Sequence, residues 1–315
     1  MTVSGRGASG RTGQGPVIEL ERWKRDRSLL RRLFPVAYSK VGYLLTGARS
    51  EKKHHNLLAS FAQSGDPPLF RHVEVETQNR CNGICDFCPV NSKIDSRAYA
   101  RMPSDLFVSI VDQLAAMKYR GGLCLYSNNE PLLDERLPDF ATYARERLPR
   151  AFIKIYTNGT LLHLDLFRKL MPHMDRIGVN QYGTSPEIKP NLQEIYDYCL
   201  TEEGRAMLEG KIFSIQPRYR KTILSSRAGN APNRAALKVP SKAKCFFPFR
   251  QLIIRPDGKI SLCCNDALGQ MTMGDASRDP LIDIWKNKEF SDVREKMVSW
   301  GRAAIPLCSV CDFAL

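Results

Sequence analysis

From residue 72 onward, short runs of β-branched and aromatic residues alternate with longer stretches whose apolar positions recur every three to four residues. This alternation predicts βα units around a parallel sheet. Five strands are expected, at His72–Thr77, Gly122–Ser127, Phe152–Thr157, Ile177–Tyr182 and Ile212–Gln216. Between the first two, Phe107, Ile110, Val111, Leu114 and Met117 form one apolar stripe, which predicts a helix with Ser104 as its N-cap. Residues 220–244 lose the period and carry Gly229, Pro232 and Pro240, so a long loop is expected there, leading to a second, smaller region. That region opens with Gln251–Arg255 and Lys259–Cys264 joined by Pro256-Asp257-Gly258, the pattern of a hairpin. Two helical faces follow, first Leu281, Ile284 and Trp285, then Phe290, Val293 and Met297, before Pro306 ends the pattern. No fixed-period repeat is present.

The start of the chain reads differently. Residues 1–17 are rich in Gly, Ser and Thr with almost no apolar content and are expected to be a disordered tail. Residues 18–70 are expected to be a basic helical extension, because Leu30, Leu33, Phe34, Ala37, Val41 and Leu44 recur at helical spacing. Arg31, Arg32 and Lys40 make this segment too charged to span a bilayer, and docking on the main domain is favoured over peripheral contact with a membrane surface.

Composition narrows the class. With 43% hydrophobic and 25% charged residues among 315, the chain can bury one sizeable α/β core and is unlike disordered or membrane-spanning sequences. The net charge of +14 draws anions of any kind. Its densest acid-free stretch, 215–245, holds Arg218, Arg220, Lys221, Arg227, Arg234, Lys238, Lys242 and Lys244, and reads either as a solvated loop or as an anion-binding loop over a site. Nucleic acid is disfavoured as a partner, since aromatics are not interleaved with these charges beyond Tyr219.

Most of the ten cysteines fall into groups at short spacing. A disulfide framework belongs to short secreted chains, and no signal-peptide h-region is present, so metal ligation in a reducing cytoplasm is the expectation. Cys81-x-x-x-Cys85-x-x-Cys88 follows the first strand directly. Three thiolates can hold three irons of a cubane and leave the fourth open to a cofactor, whereas structural clusters usually have four cysteines. Zinc is the structural alternative.

This spacing, with Phe87 just before the third cysteine, resembles the radical S-adenosylmethionine superfamily. In that superfamily a Gly-Gly-Glu-Pro motif after the second strand binds the cofactor's amino group. Here Asn128-Asn129-Glu130-Pro131 stands in its place, keeping the charge for the ammonium but replacing both glycines, which puts the backbone path in doubt. Thr157-Asn158-Gly159-Thr160 resembles the family's turn after the third strand. Over residues 72–220 the resemblance implies an α/β fold, a partial (β/α)6 TIM-type barrel with its cluster and cofactor at the C-terminal mouth. It implies cofactor contacts from Phe87, Asn128, Asn129, Glu130, Asn158, Asn180 and Arg218, with Arg218 on the carboxylate.

Cys245, Gly258, Cys263 and Cys308-x-x-Cys311 resemble the C-terminal extension called SPASM, or its shorter form, twitch. The resemblance implies a small hairpin-plus-helix Fe–S module with four cysteines around an auxiliary cluster. With the chain ending at Leu315, the expectation is two 4Fe-4S clusters in all, with S-adenosylmethionine as cofactor. A zinc knuckle is the alternative for Cys308-x-x-Cys311 alone. The expected domain plan is a tail at 1–17, the extension at 18–70, the barrel at 71–240 and the module at 241–315. Strand alternation turns Cys264 away from Cys263, so Cys264 is a candidate hydrogen donor, with a buried spectator thiol as the alternative. Cys124 and Cys199 read as small buried hydrophobes.

As the resemblance implies, a 5′-deoxyadenosyl radical abstracts a hydrogen from an unactivated C–H bond of a small natural-product or sugar-type substrate, which the basic charge allows to be anionic. Epimerisation with Cys264 as donor is the first reading. The alternatives are two-electron dehydrogenation of an alcohol through the auxiliary cluster, and modification of a ribosomal peptide. Twitch enzymes acting on aminoglycosides include both an epimerase and a dehydrogenase, and this chain is similar in layout. A flavodoxin or ferredoxin is the expected electron donor.

Overall fold

The structure is a computed structural model and describes residues 17–20, 56–185 and 187–313. The expected tail over 1–16 and the basic helix from Leu29 to Leu45 lie outside the described residues. The strands are β1 (Val17–Leu20), β2 (His72–Val75), β3 (Gly122–Cys124), β4 (Phe152–Thr157), β5 (Arg176–Gly183), β6 (Ile212–Tyr219), β7 (Gln251–Ile254), β8 (Lys259–Ser261) and β9 (Thr272–Asp275). A helix α1 covers residues 56–64. It is followed by α2 (Ser104–Ala116), α3 (Leu137–Arg147), α4 (Leu164–Leu170), α5 (Pro190–Leu200), α6 (Glu202–Met207), α7 (Leu281–Lys286), α8 (Lys288–Ser299) and α9 (Pro306–Ser309).

Among the described residues all nine strands belong to one sheet, ordered β1-β6-β5-β4-β3-β2-β7-β8-β9. Pairing is parallel from β1 through to β7, then antiparallel for β7–β8 and β8–β9. The fold is therefore the expected partial TIM-type α/β barrel, and the small C-terminal region continues its sheet. β7 lies beside β2 with Val73 opposite Leu252 and Val75 opposite Ile254.

Each strand has two chemically distinct faces, as a period of two requires. Val73, Val75, Leu123, Ile153, Ile155, Ile177, Val179, Phe213 and Ile215 are buried in the apolar core. The alternate residues are His72, Glu74, Cys124, Lys154, Tyr156, Asn180, Gln216 and Gln251, and they make the other face polar. Barrels of this type are commonly filled by branched aliphatics; here the inner face instead carries groups able to bind and to exchange protons.

Several expectations are corrected. Val17–Leu20, read as tail and helix, is a strand, because its backbone pairs with Ile212–Ile215 at the sheet edge. Ser104 begins α2 without capping it; the cap position is Pro103, and the Ser104 hydroxyl accepts from Arg136 at 3.2 Å. Pro306 opens α9 rather than closing a pattern, a position suited to a residue without an N–H. The stripe of α2 is buried at Phe107, Ile110, Val111 and Leu114, as expected. So are the faces of α7 and α8, at Leu281, Ile284 and Trp285 and at Phe290, Val293 and Met297. Trp285 donates through Nε1 to Pro68 O at 3.0 Å and packs edge-on against Phe70, which fixes the C-terminal helices to the entry of β2. No described helix is long and apolar enough to cross a membrane.

Candidate cofactor and cluster site

The loop that leaves β2 is shaped by its own side chains. Gln78 donates to Arg80 O and Glu130 O, both at 2.9 Å, and accepts from Arg80 N at 2.8 Å. Asn91 donates to Cys85 O at 3.2 Å and Cys88 O at 2.8 Å. Cys81, Cys85 and Cys88 are free and half-buried on this frame. Gly83 lies between two of the sulfurs: a Cβ there would stand 3.2 Å from Cys81 Sγ and 3.9 Å from Cys85 Sγ. Burial pushes the Cys81 and Cys85 thiols up to about 12, so a cluster held here would have to displace their protons at neutral pH. No three described residues converge on a single-ion position. A cubane does not need them to, because each thiolate binds a different iron; three neighbouring thiols beside a glycine cradle fit such a cluster with one iron left open.

Asn128, Asn129 and Glu130 lie directly beyond β3. Neither asparagine takes a positive φ, so the replacement of glycine demands no left-handed backbone here. Glu130 is buried, and its carboxylate is largely used within the protein: Oε1 accepts from Thr157 Oγ1 at 2.5 Å and Leu132 N at 3.2 Å, and Oε2 from Asn158 N at 2.8 Å. One acceptor position on Oε2 remains for an ammonium. Burial raises the Glu130 pKa, opposed by these hydrogen bonds. Asn129 Nδ2 is buried without a protein partner, an unspent donor in the cofactor motif. Asn158 joins this turn to the cysteine loop by donating to Asn82 Oδ1 at 2.7 Å.

Asn180 and Arg218 meet across β5 and β6, with Arg218 Nε donating to Asn180 Oδ1 at 2.9 Å and its Nη2 bonded to Gln216. Tyr182 stands opposite Arg218 in the register and packs on Phe87, ring centroids 5.1 Å apart. Phe87 thus links the cysteine loop to the mouth of β5 and β6.

The second cysteine group assembles where β8 ends, around α9. Cys263, Cys308 and Cys311 are buried, while Cys245 is half-buried and donates its N–H toward Met297 Sδ at 3.2 Å. Gly258 makes the β7–β8 turn with φ +81°, in the left-handed region that the Pro-Asp-Gly sequence supplies. Buried Arg302 donates to Cys311 O at 3.3 Å and sits close enough to oppose the rise that burial imposes on the Cys245 thiol. Burial raises the Cys263, Cys308 and Cys245 thiols, and neighbouring thiols raise them further: Cys264, Cys245 and Cys308 act on Cys263, Cys245 and Cys311 on Cys308, and Cys311 on Cys245. A closed four-thiolate set of this kind fits an auxiliary cubane.

Cys263 and Cys264 lie beyond β8, which ends at Ser261, so strand alternation does not apply to them. Cys264 is half-buried on the inner face beside Glu74 and Gln251, with burial pushing its thiol up to about 12. Cys199 is buried in the apolar core of α5, as expected. Cys124 is not a hydrophobe in a hydrophobic setting: it faces the inner side, with Sγ 3.6 Å from His72 Nε2.

Of two arginines that organise the site, one was not among the expected residues and the other was expected only as part of the basic stretch. Arg97 donates to Asn79 O at 2.7 Å, Asn128 O at 3.4 Å and Ala267 O at 3.3 Å, and pairs with Asp95 and Glu76. It thereby ties the cysteine loop, the cofactor motif and the C-terminal region together. Arg227, on the basic loop, donates to Asn128 Oδ1 at 3.2 Å and Cys264 O at 3.3 Å. Its backbone and that of Ala228 are both left-handed, at φ +49° and +52°, a strained path that tertiary contacts must hold. One such contact is Ser226 N donating to Asp312 Oδ1 at 2.6 Å, next to Cys311. Around Ser226–Ala228 the basic stretch is therefore tied between the cofactor motif and the second cysteine group, whereas Lys221, Arg234, Lys238, Lys242 and Lys244 are exposed.

Family comparisons agree with this geometry. The radical SAM superfamily matches residues 75–200, and the iron-sulfur cluster-binding SPASM domain matches residues 245–312. The chain is a member of the radical SAM superfamily. More particularly, it is a radical SAM enzyme with a C-terminal SPASM/twitch-type module, and its cofactors are S-adenosylmethionine and 4Fe-4S clusters. It is similar to the S-adenosyl-L-methionine-dependent 2-deoxy-scyllo-inosamine dehydrogenase of Niallia circulans, 26% identical over 248 residues, 78% of this chain and 93% of that protein. It also matches the Fe-coproporphyrin III synthase of Methanosarcina barkeri (strain Fusaro / DSM 804), 29% identical over 137 residues, 44% of this chain and 31% of the other. Among solved structures, BtrN in complex with AdoMet and 2-DOIA superposes with a TM-score of 0.66 at 25% identity, over 79% of this chain and 95% of that one.

Proposed function

We propose that the enzyme dehydrogenates an alcohol carbon of a small sugar-like substrate, of the aminocyclitol type. The observation that carries this reading is the match along 93% of a 2-deoxy-scyllo-inosamine dehydrogenase, in a chain whose second cysteine group is closed by four thiols and free to act in electron transfer. The cofactor, when bound, would supply the chemistry of hydrogen-atom abstraction. The chain's own residues then divide the work. Cys81, Cys85 and Cys88 hold the cluster that leaves one iron open. Glu130 Oε2 and Asn129 Nδ2 offer the unspent acceptor and donor for the cofactor's amino acid end, and Arg218 keeps donors free of Asn180 and Gln216 for its carboxylate. Cys245, Cys263, Cys308 and Cys311 hold the auxiliary cluster.

Epimerisation, the first reading of the sequence, is the weaker one given the dehydrogenase relative. One observation still favours it, the inward-facing thiol of Cys264. Cys264→Ala, with both clusters intact, separates the two. Dehydrogenation predicts substrate-dependent 5′-deoxyadenosine and a product two hydrogens lighter in wild type and variant alike. If instead the variant makes 5′-deoxyadenosine without product, and wild-type product made in deuterated water carries one deuterium on an inverted carbon, the dehydrogenase reading is wrong.

A further inference from the structure

Dehydrogenation of a secondary alcohol breaks one C–H and one O–H bond and forms the second bond of a C=O group. The hydrogen atom would leave in 5′-deoxyadenosine, formed from S-adenosylmethionine, and the remaining electron would pass to an oxidised auxiliary cluster held by Cys245, Cys263, Cys308 and Cys311. The hydroxyl proton needs a base, and its removal makes the substrate radical a readier electron donor. None of the groups discussed so far takes that proton.

We propose that Glu74 is the catalytic base for the substrate hydroxyl and that His72 carries the proton onward from it; this rests on the dehydrogenase reading. Glu74 projects from β2 into the polar inner face, directly below the cofactor motif. Its Oε2 accepts from Ser127 Oγ at 2.7 Å, and Ser127 immediately precedes Asn128. Its Oε1 lies 2.9 Å from His72 Nε2. Each oxygen keeps a further acceptor position. The chain of groups runs from the mouth of the barrel toward the start of the strand, where the His72 side chain keeps 19% exposure against 9% for Glu74. Gly122 lies beside the far ring nitrogen, its missing Cβ 3.3 Å from Nδ1, so no side chain at that position covers the exit.

Neighbouring groups fit the task less well. Burial pushes the Cys124 thiol and the Tyr126 hydroxyl up, so they face the cavity as neutral donors. Lys154 and Arg227 are cations, and Gln251 does not titrate. Glu130 is committed to Thr157, Leu132 and Asn158, and Glu76 to Arg97. Glu74 is thus a carboxylate of the inner face with acceptor capacity on both oxygens, and Cys264 lies near it.

The test uses the reconstituted holoenzyme with 2-deoxy-scyllo-inosamine as probe, the compound that names the Niallia circulans relative. In Glu74→Gln the probe's dissociation constant, measured by calorimetry with S-adenosylmethionine bound, should stay within about threefold of wild type, because glutamine still accepts a hydrogen bond. The ratio of ketone to 5′-deoxyadenosine should fall by at least about tenfold, within the range ascribed to general bases. In Glu74→Ala, added formate or acetate should restore part of that ratio, and His72→Gln should lower it less than Glu74→Gln does. An unchanged ratio in Glu74→Gln, or a loss that tracks weakened binding and is not rescued by small carboxylates, overturns the assignment while leaving dehydrogenation in place. Wild-type enzyme that makes 5′-deoxyadenosine with the probe but no ketone overturns the dehydrogenase reading, and this proposal with it.

Discussion

Cys81, Cys85 and Cys88 sit half-exposed on a loop that polar side chains hold in shape, whereas Cys263, Cys308 and Cys311 each retain only 9% exposure inside the C-terminal region. The first group depends on hydrogen bonds from Gln78, Asn91 and Asn158, all made to other parts of the protein. The second is part of the packing itself, since Cys308 and Cys311 belong to the same apolar core as Trp285 and Phe290. One site is arranged to exchange a cofactor and the other to keep its contents. The expected consequence is that chemistry fails first at one and stability first at the other.

The sharpest way to break this contrast is to empty each site in turn. Replacing Cys81, Cys85 and Cys88 together by alanine should abolish 5′-deoxyadenosine and leave about half of the iron and sulfide. Its denaturation midpoint should move little, because the loop's frame is untouched. Cys308→Ala with Cys311→Ala should lower the unfolding free energy by about 2–5 kcal/mol, the combined cost of lost burial and lost metal ligands. Equal destabilisation by the two sets, followed by chemical denaturation, would show that the sites are not built differently.

Arg97 joins the two regions, and its loss should have the next largest effect. Arg97→Gln leaves the ionised form of Glu76 buried without its cation, at a cost of about 3 kcal/mol at high pH by analogy with broken buried pairs. Burial already outweighs Arg97 and raises Glu76 to about 8. A carboxyl raised above its unfolded value is most favourable at low pH, and that contribution is lost as pH rises from the unfolded value of 4.5 through about 8. Below about 8 Glu76 is protonated in both folded proteins, so the stability deficit of Arg97→Gln should stay flat from pH 5 to about 7 and grow only above about 8, where the wild-type carboxylate gains its cation. A deficit independent of pH in urea titrations would mean that Arg97 acts through its main-chain contacts alone.

What the sequence disclosed follows from the range of the interactions involved. The five barrel strands, the α2 stripe and both cysteine groups are local patterns, and all were legible. β1 was not, because four residues between polar stretches carry too little alternation, and their strand character comes from pairing with β6 nearly 200 residues away. Arg97 and Glu74 were missed, and the partner of Arg227 was not foreseen, for the same reason: they meet Asn128, Ser127 and Asn128 at separations of 31, 53 and 99 residues. Cys124 was misread because burial was equated with an apolar setting, although its place on a strand beside His72 and Glu74 already assigned it to their face.

The smallest expected effect compares two glycines, one in each region. Gly258 holds φ +81°, and an added Cβ would lie 3.0 Å from Asp275 Oδ1 and 3.1 Å from Ser277 Cβ. Gly258→Ala therefore sets an L side chain in the left-handed region, at about 1–2 kcal/mol, and loosens the turn that delivers Cys263. Gly83 has no positive φ, and its added Cβ would meet chiefly Cys81 Sγ, at 3.2 Å. A free thiol rotates away from that contact at small cost, but a thiolate fixed to iron cannot. Gly83→Ala should leave the unfolding midpoint unchanged, within about 0.5 kcal/mol as for uneventful substitutions, and lower the iron retained at the first site after gel filtration. Gly258→Ala should do the reverse, with a lower midpoint and near-normal 5′-deoxyadenosine formation. If Gly83→Ala proved the more destabilising of the two, the loop's frame would be weaker than its hydrogen bonds indicate, and the division between a site built for exchange and one built for retention would fail there.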